Sequence, residues 1–192
     1  MTNLSLPLAN RKKWTVEAFD RLTEMGAFAD EKLELLEGDL VEKMSQNEPH
    51  VWGVYLMQNK LIQIFGQSYM VRGQAPLQLE DSKPEPDVAV INMPTRGTIQ
   101  IPSTALLVVE IADSTLQTDR DVKSHIYARA GIAEYWIVNL NARQVEVRRD
   151  PRADDSQPLG FTYGSLQTLD ANDQLAPLSF PTSSFSVADI LP

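Results

Sequence analysis

The segment Ala105-Leu-Leu-Val-Val-Glu-Ile111 is dense in Val, Ile and Leu. Two similar runs occupy residues 87–91 and 135–140. Continuous apolar runs of this length are typical of strands that are covered on both faces of a sheet. Residues 118–130 place apolar side chains on one helical stripe between the second and third runs. The sequence therefore predicts a strand–helix–strand crossover, which should be right-handed.

The flanking segments extend this core in both directions. Residues 143–149 alternate apolar and charged side chains, which is typical of an antiparallel hairpin partner of the preceding strand. The other predicted elements are helices at 15–26 and 49–66, strands at 33–37, 40–44, 69–71 and 77–79, and a hairpin turn at Gly38-Asp39.

The C-terminal segment 151–192 differs in composition from the rest of the chain. It is rich in Pro, Ser and Asp, with only short β patterns, so we expect an irregular extension. The sequence as a whole predicts a single α/β domain over residues 1–192, with a mixed β-sheet and a core at about 14–150.

The composition excludes several classes of protein. Hydrophobic residues make up 43% of the 192 residues and charged residues 22%, which is enough apolar content to build a core. The chain has no cysteine and two histidines, which excludes disulfide scaffolds, cysteine nucleophiles, thiolate zinc sites and His-rich metal cages. The net charge of −9 excludes a protein that only coats nucleic acid, so any contact with DNA must be local.

Nothing in the sequence predicts a membrane protein or an exported one. The longest apolar run, residues 105–109, is far shorter than the roughly 20 residues of a membrane helix. The opening Met1-Thr-Asn-Leu-Ser5 lacks the basic and apolar regions of a signal peptide. We therefore expect a cytoplasmic protein.

Two carboxylates stand at the ends of predicted buried strands. Glu110 shares one face of its strand with Leu106 and Val108, because side chains alternate along a strand. Asp87 directly precedes the run Val88-Ala-Val-Ile91. A charge that continues an apolar face is costly unless it is paired, metal-bound or at the rim. We expect Asp87 and Glu110 to lie close enough to share a metal ion; the alternative is two strand-end acids in water.

Lys123 is a candidate partner of this acid pair. It lies thirteen residues after Glu110, and a connection at 112–117 precedes the predicted helix, which therefore begins near the end of the strand. Lys123 then falls in the second helical turn, roughly 8 Å along the axis, which a lysine side chain can largely span. The alternative is a solvated lysine paired with Asp119 four residues earlier.

At these residues the sequence resembles a known family. The matching segments are Pro86-Asp87, Val109-Glu-Ile-Ala-Asp-Ser114, Asp119-Arg-Asp-Val-Lys123 with Tyr127, and Gly131-Ile-Ala-Glu-Tyr-Trp-Ile-Val138, preceded by Glu34-Leu-Leu-Glu-Gly-Asp-Leu-Val41 and His50. In this order they resemble the Uma-two family, which is classed with restriction endonucleases in the PD-(D/E)xK nuclease superfamily. The likeness covers roughly residues 14–150.

The resemblance implies a restriction-endonuclease-like core, a mixed sheet flanked by helices that carries a divalent-metal site. Asp87 would be the acid of the PD motif, and Glu110 would be the acid of the next strand. The superfamily usually has its lysine two residues after that acid, where this chain has Ala112. The resemblance implies a lysine relocated to the following helix, which is Lys123.

The resemblance also implies Mg²⁺ or Mn²⁺ as the cofactor. Mg²⁺ prefers hard oxygen ligands, which Asp87, Glu110 and the backbone carbonyl of Ile111 would supply. Glu34 of the hairpin could be an outer acid of the metal site, with an exposed hairpin acid as the alternative. The metal would polarise the scissile phosphate and activate a water, and Lys123 would orient that water or neutralise developing charge. Whether burial lowers the pKa of Lys123 or carboxylates raise it stays open.

Five further residues carry weaker signals. His50 stands at a helix start and is expected to be a surface or packing histidine. Tyr127, four residues after Lys123, could line the site or pack the helix on the sheet. Tyr135 and Trp136 belong to a buried strand and are expected in the core rather than stacked on bases. Ser114 lacks a Gly-x-Ser-x-Gly setting, so a serine nucleophile is excluded.

These observations predict a Mg²⁺-dependent endonuclease that hydrolyses phosphodiester bonds of DNA. A homodimer is expected because two-fold symmetry suits cutting both strands of a duplex. The first alternative is a catalytically silent nuclease-fold protein that binds nucleic acid or a protein partner, which Ala112 and the acidic surface favour. The second is a metal hydrolase of small phosphoesters. A basic groove beside the acid pair would favour DNA, and a closed pocket would favour the small ester.

Overall fold

The computed structural model describes residues 12–157 and 159–192. The opening residues on which the signal-peptide prediction rests lie outside this range. In chain order the elements are α1 (Val16–Glu24), β1 (Leu33–Leu36), β2 (Asp39–Glu42), α2 (Glu48–Phe65), β3 (Tyr69–Gly73), β4 (Val88–Asn92), β5 (Leu107–Ala112), α3 (Leu116–Thr118), a π-helical turn (Asp119–Lys123), α4 (Ser124–Arg129), β6 (Glu134–Asn139), β7 (Gln144–Ala153), β8 (Phe161–Asp170), β9 (Gln174–Leu175) and β10 (Phe185–Ser186).

A six-stranded mixed sheet forms the centre of the molecule. Its strands lie in the order β3-β4-β5-β6-β7-β8. Strands β5 and β6 are parallel, and the other neighbouring pairs are antiparallel. The helical segment from α3 to α4 connects the parallel pair, as the apolar runs predicted. The α/β fold class with a mixed sheet flanked by helices is therefore confirmed.

Helices cover both faces of this sheet. On one face, Met57, Leu61 and Phe65 of α2 pack against alternate residues of the central strands. On the other face, Ile126 and Tyr127 of α4 pack against the side chains that point the opposite way. This second face is the one that leads to the acid pair, because Val108 and Ala112, the residues two before and two after Glu110, pack there.

The expectation of an irregular C-terminal extension is wrong. Strand β7 continues to Ala153, and β8 pairs with it along its whole length as the edge of the main sheet. Further on, the side chains of Leu175, Phe185 and Val187 are buried in the α2-side core. The chain after residue 150 therefore completes the sheet and one core layer.

Two smaller expectations also differ from the structure. The hairpin turns at Glu37-Gly38, one residue earlier than expected, and both residues have positive φ angles, 51° and 75°. Positive φ at both central positions is the geometry of a type I′ turn, for which glycine is suited. Residues 77–79 form no strand; their backbone amides bond to carbonyls of Pro84, Pro102 and Ser82 in the surrounding loops. Within the described ranges, no helix has the length and apolarity that crossing a membrane requires.

An ion-pair cluster fastens the π-helical turn to the sheet. Glu146 of β7 is buried and accepts hydrogen bonds from Arg120 Nε at 2.7 Å and Arg148 Nη2 at 2.8 Å. Burial alone would raise the pKa of Glu146, but these hydrogen bonds outweigh it and hold the pKa below its usual value of 4.5. The cluster therefore stabilises the fold while Glu146 is ionised.

We expect Glu146→Gln to lower the free energy of unfolding by about 1.5–3 kcal/mol at neutral pH, because charge-assisted hydrogen bonds are lost. A group with a depressed folded pKa contributes stability above its unfolded pKa and loses it as the pH falls through the folded pKa. The difference between wild type and variant should therefore shrink between about pH 5 and about pH 3. Urea unfolding across this range measures it, with the exposed Glu80→Gln as a control that should change little. A constant difference at all pH values would contradict the assignment.

Candidate active site

Asp87 and Glu110 lie side by side on the α4-side face of the sheet. In the antiparallel pairing of β4 and β5, Val88 is opposite Val109, so continuing the register by one residue places Asp87 opposite Glu110. Residues directly opposite in an antiparallel pair have Cβ atoms about 5 Å apart. Asp87 Oδ2 accepts a hydrogen bond of 2.8 Å from the Ile111 amide, which fixes this carboxylate at the strand end.

Glu110 is buried and has two partners on the helical segment. Its Oε1 atom accepts a hydrogen bond from Tyr127 Oη at 2.8 Å and lies 3.0 Å from Lys123 Nζ. Lys123 is the last residue of the π-helical turn, and Tyr127 lies on α4 one turn later. Lys123, which the resemblance implies as a relocated lysine, is therefore within contact distance of the strand acid.

The β1–β2 hairpin brings a third carboxylate from a distant part of the chain. Glu34 of β1 is 4% exposed, and its Oε2 atom lies 3.3 Å from Lys123 Nζ. Its Oε1 atom accepts a 2.7 Å hydrogen bond from the Glu85 amide. The hairpin is held against the loop before β4 by the Lys83 amide, which donates to the Leu35 carbonyl at 2.6 Å. Glu34 is therefore a buried site acid, and the alternative of an exposed hairpin acid is excluded.

Arg129 clamps the hairpin turn to α4. Its guanidinium bonds both carboxylate oxygens of Glu37, at 3.0 and 2.5 Å, and also contacts Asp81. Bidentate contacts of this kind fix orientation as well as adding energy. The clamp keeps the hairpin, and with it Glu34, over the cleft.

Asp119 is a fourth carboxylate of the site. It is 1% exposed, and its Oδ2 atom accepts a 2.7 Å hydrogen bond from Thr115 Oγ1. Its Oδ1 atom lies 3.9 Å from Lys123 Nζ and has no hydrogen-bond partner. Asp119 opens the π-helical turn that Lys123 closes, and π-helical turns inside helices occur frequently at functional sites.

The charges of this cluster perturb one another. Burial raises the pKa of Glu110 well above its usual value, and Asp119, Asp87 and Glu34 raise it further against the effect of Lys123. Burial likewise raises the pKa of Asp119. Burial on its own would lower the pKa of Lys123, but the surrounding carboxylates outweigh it and raise that pKa. The surrounding carboxylates therefore favour the protonated form of Lys123, the second of the two directions that the sequence left open.

His50 contacts the site rather than a packing surface. Gly53 of α2 packs so closely on β5 that a Cβ atom there would lie 2.9 Å from Ile111 Cγ2. This approach lets His50, one turn earlier, bring its Nε2 atom to 3.2 Å from Asp87 Oδ2. Burial opposes ionisation of Asp87, but the contacts with His50 and the Ile111 amide, together with the Lys123 charge, lower its pKa. The His50 Nδ1 atom is buried without a partner.

The cluster lines a cleft of about 320 Å³. A larger groove of about 550 Å³ adjoins it and shares the lining residues Lys43, Met44, Gln46 and Glu85. The carboxylates thus stand at the end of an open, continuous depression. As the side chains lie, no three His, Asp or Glu residues within 12–157 and 159–192 are spaced to hold a metal ion. The Lys123 ammonium stands among the carboxylates instead.

A comparison with protein families places the sequence in a known group. The family model described as "Uma2: Putative restriction endonuclease" matches residues 16–188. The chain belongs to the Uma2 family. The match runs beyond residue 150 and includes the segments that form β8, β9 and β10.

Solved structures give a second comparison. The Uma2 chain is similar to a protein from Anabaena variabilis ATCC 29413 described as "a putative nuclease belonging to DUF820". The TM-score is 0.69 at 15% sequence identity, over 92% of this chain and 96% of that one. At this identity the likeness shows a shared fold alone. A comparison with curated proteins gives no match.

Sequence reasoning found some members of this Uma2 site and missed others. The residues it named, Glu34, Asp87, Glu110 and Lys123, all line the cleft. Their catalytic and metal-binding roles, and that of the Ile111 carbonyl, stay predictions. Asp119 was missed as a site residue because a carboxylate four residues before a lysine is typical of an exposed helical ion pair.

The aromatic residues follow the expectations more closely. Both alternatives considered for Tyr127 hold: its ring packs in the core, and its hydroxyl donates a hydrogen bond to Glu110 in the site. Tyr135 and Trp136 are fully buried core residues, as expected. His50 was assigned to the surface or to packing, and this expectation is wrong because its ring contacts Asp87.

Proposed function

We propose that this Uma2 protein is a metal-dependent endonuclease that hydrolyses phosphodiester bonds of DNA. The observation that carries the proposal is the convergence of Glu34, Glu110 and Asp119 on the Lys123 ammonium, next to Asp87 and at the end of an open groove. Buried carboxylates beside a lysine are the residue types that phosphodiester hydrolysis with a hard cation requires.

The donor set fits the chemistry of Mg²⁺ or Mn²⁺, because both ions prefer carboxylate oxygens. The site holds more buried carboxyl groups than the single Lys123 ammonium can pair with. Asp87 and Glu110, with the Ile111 carbonyl and Glu34, would hold the ion. When bound, such an ion supplies Lewis-acid polarisation of the phosphate and lowers the pKa of a coordinated water. With Lys123 standing among the acids, cation binding requires its ammonium to give up part of its contact with them.

The chain's own residues then have separate tasks. The Ile111 amide and His50 orient Asp87, and Tyr127 orients Glu110 through Oε1. Lys123 remains protonated, so it acts as a hydrogen-bond donor and positive charge toward phosphate oxygens rather than as a base. Preorganised charges of this kind need no rearrangement as the phosphate becomes more negative.

Incubation of the purified protein with supercoiled plasmid tests the proposal. We expect nicked and linear products with Mg²⁺ or Mn²⁺ and none with EDTA. A parallel assay with bis(p-nitrophenyl) phosphate distinguishes a small-phosphoester hydrolase, which would turn over this compound and leave the plasmid intact. Absence of cleavage on both substrates, over a range of DNA sequences, would refute the proposal.

The adjoining groove is the proposed path of the DNA strand. Three lysines line it, Lys32, Lys43 and Lys83, against two acids, Glu31 and Glu85, in a chain whose net charge is −9. Lys43 and Lys83 are paired with acids, whereas Lys32 is exposed. The exposed Lys32 supplies the positive charge that an acidic chain needs to contact a phosphate locally. An open groove also fits a polymer better than a small ester.

We expect Lys32→Ala to weaken binding of a fluorescent DNA duplex, because one phosphate contact is lost. The plot of log affinity against log salt concentration should become less steep by about 1. Fluorescence anisotropy in EDTA measures this without cleavage. Lys60→Ala is the control, since Lys60 lies on α2 and pairs with Asp189 away from the groove. If Lys32→Ala and Lys60→Ala weaken DNA binding equally, the groove is not the path of the DNA strand.

A nuclease-fold protein that binds nucleic acid or a protein partner without cleavage is the second candidate. Ala112 favours this candidate, because it occupies the usual position of the catalytic lysine and has no functional group. It is fully buried in β5, so catalysis would depend on Lys123 instead. The plasmid assay separates the two candidates when combined with the anisotropy measurement, because the silent protein binds DNA or a partner and never cuts.

We further propose that the protein acts as a cytoplasmic homodimer. The outer face of α2 exposes Val51, Trp52, Tyr55 and Ile62, with exposures between 46% and 57%. Neighbouring exposed apolar side chains on one helix are typical of an interaction surface. A second copy of the chain on this surface would supply the second active site for a duplex. Light scattering should give twice the monomer mass, and Tyr55→Lys should return the monomer. A monomeric wild type would refute the dimer and leave the catalytic proposal unaffected.

A further inference from the structure

One buried oxygen of the cleft has no hydrogen bond and is not among the metal ligands named in the function proposed above. Asp119 Oδ1 is among three buried side-chain polar atoms without a hydrogen-bond partner in the described part of the chain. Nearly all buried polar atoms in proteins are paired, because desolvating them without a partner is costly. An unpaired carboxylate oxygen therefore needs a physical reason for its position.

The contacts of Asp119 fix its carboxylate, and the oxygen without a hydrogen bond lies on the side of Lys123. Thr115 Oγ1 bonds the other oxygen at 2.7 Å, which fixes the rotation of the carboxylate. The π-helical turn places Asp119 and Lys123 on the same buried side, and both line the cleft with Glu34 and Glu110. The nearest cation, Lys123 Nζ, is 3.9 Å from Oδ1, too far for a hydrogen bond.

Charge balance points to the same residue. Four buried carboxylates, Glu34, Asp87, Glu110 and Asp119, face the single ammonium of Lys123. Buried charges are normally paired or bound to metals, and one lysine cannot pair closely with all four carboxyl groups. A divalent cation restores the balance, and a preoriented, unpartnered oxygen is the form in which a protein offers an additional ligand.

We propose that Asp119 is a further cation-binding residue of the site and that its Oδ1 atom supplies an oxygen ligand to the divalent ion. This inference rests on the proposed metal-dependent function. It adds a ligand from the helical segment to the strand acids Asp87 and Glu110, and it gives the π-helical turn a role, because that turn carries both the ligand and the lysine.

Titration of Mn²⁺ into the protein, followed by the electron paramagnetic resonance signal of the free ion, tests the inference without any catalytic assay. We expect Asp119→Asn to weaken Mn²⁺ binding by about ten-fold or more. Glu42→Gln is the matched control, because Glu42 lines the same cleft but is exposed. Glu42→Gln removes the same charge from an exposed position and leaves the buried oxygens in place. We therefore expect the affinity for Mn²⁺ to change by less than about two-fold.

If Asp119→Asn and Glu42→Gln weaken Mn²⁺ binding equally, the inference is overturned. Asp119 would then act only through its charge, as an exposed acid does, and not as a ligand. If Asp119→Asn does not fold, Thr115→Val provides the test, because it keeps the charge and frees the carboxylate; unchanged Mn²⁺ affinity would then overturn the inference. Glu110→Gln is titrated in parallel. Loss of binding in Glu110→Gln but not in Asp119→Asn would refute the inference alone, whereas a wild type that binds no Mn²⁺ would refute the proposed function as well.

Discussion

Glu110→Gln should abolish Mg²⁺-dependent plasmid cleavage while the metal-free protein stays as stable as the wild type or gains about 1 kcal/mol. Cleavage should fall by at least about 10²–10³-fold, because a charged group aimed at the reacting phosphate or its ion is lost. The fold should tolerate the change because the amide oxygen of glutamine can still accept from Tyr127 and Lys123. Removing one of several crowded carboxylates also relieves their repulsion.

Plasmid cleavage and a melting curve in EDTA measure the two effects on the same preparations. Glu146→Gln is the contrasting control, because Glu146 is a buried strand acid paired with Arg120 and Arg148. It should lower the melting temperature and keep cleavage. Equal cleavage by Glu110→Gln and wild type would mean another site or a contaminating nuclease. A large fall in the melting temperature of Glu110→Gln would mean that Glu110 is mainly a structural partner of Lys123.

Lys123→Met should have the largest effect on stability. It removes the ammonium that contacts Glu34, Glu110 and Asp119 and leaves these buried carboxyl groups without that partner. Removing one partner from a buried ion pair costs about 3–5 kcal/mol. Cleavage should be lost as well, because the ammonium that stands among the site carboxylates is removed.

A double variant separates the charge effect from loss of packing. Lys123→Met combined with Glu110→Gln should recover about 1–3 kcal/mol of the lost stability, because one uncompensated carboxylate is removed. Chemical unfolding in EDTA measures both variants. Lys60→Met is the control, since the Lys60–Asp189 pair is partly exposed and should contribute less than about 1 kcal/mol. Strictly additive effects would show that Lys123 and Glu110 are not coupled.

The sequence predicts the centre of the fold well because burial there leaves a strong pattern. Strands β4, β5 and β6 are apolar on both faces, and the helical segment between β5 and β6 has a clear apolar stripe. Strand β8 lacks such a pattern, since most of Phe161–Asp170 is exposed and contains Thr, Gly, Ser and Gln. Its strand conformation comes from backbone pairing with β7, which depends on tertiary structure and leaves little trace in hydrophobicity.

The candidate site was predictable where a charge interrupts an apolar strand. Asp87 and Glu110 stand out for this reason, and the register of β4 and β5 brings them together. Asp119 and His50 lie near the starts of helical segments, where polar residues are ordinary. Their burial arises from the π-helical turn and from the close approach of Gly53 to β5, and neither follows from local spacing.

The hairpin that delivers Glu34 has a consequence for the order in which the site folds. Glu110 reaches Lys123 across 13 residues and Tyr127 across 17, whereas Glu34 reaches Lys123 across 89. Contacts between residues close in sequence form faster, because less chain entropy is lost when the loop closes. We therefore expect the strand and helical part of the cluster to assemble first, and the hairpin to dock on it afterwards.

This order would leave an intermediate in which Lys123 already neutralises Glu110 while the cleft is open on the hairpin side. Docking the hairpin adds the carboxylate of Glu34 and is held by Arg129 on Glu37 and by the Lys83–Leu35 backbone bond. That last step buries a further carboxyl group, which opposes docking, and the apolar side chains of Leu35 and Leu36, which favours it. We expect amide hydrogens of β1 to exchange with solvent through local opening of the hairpin, well before those of β5.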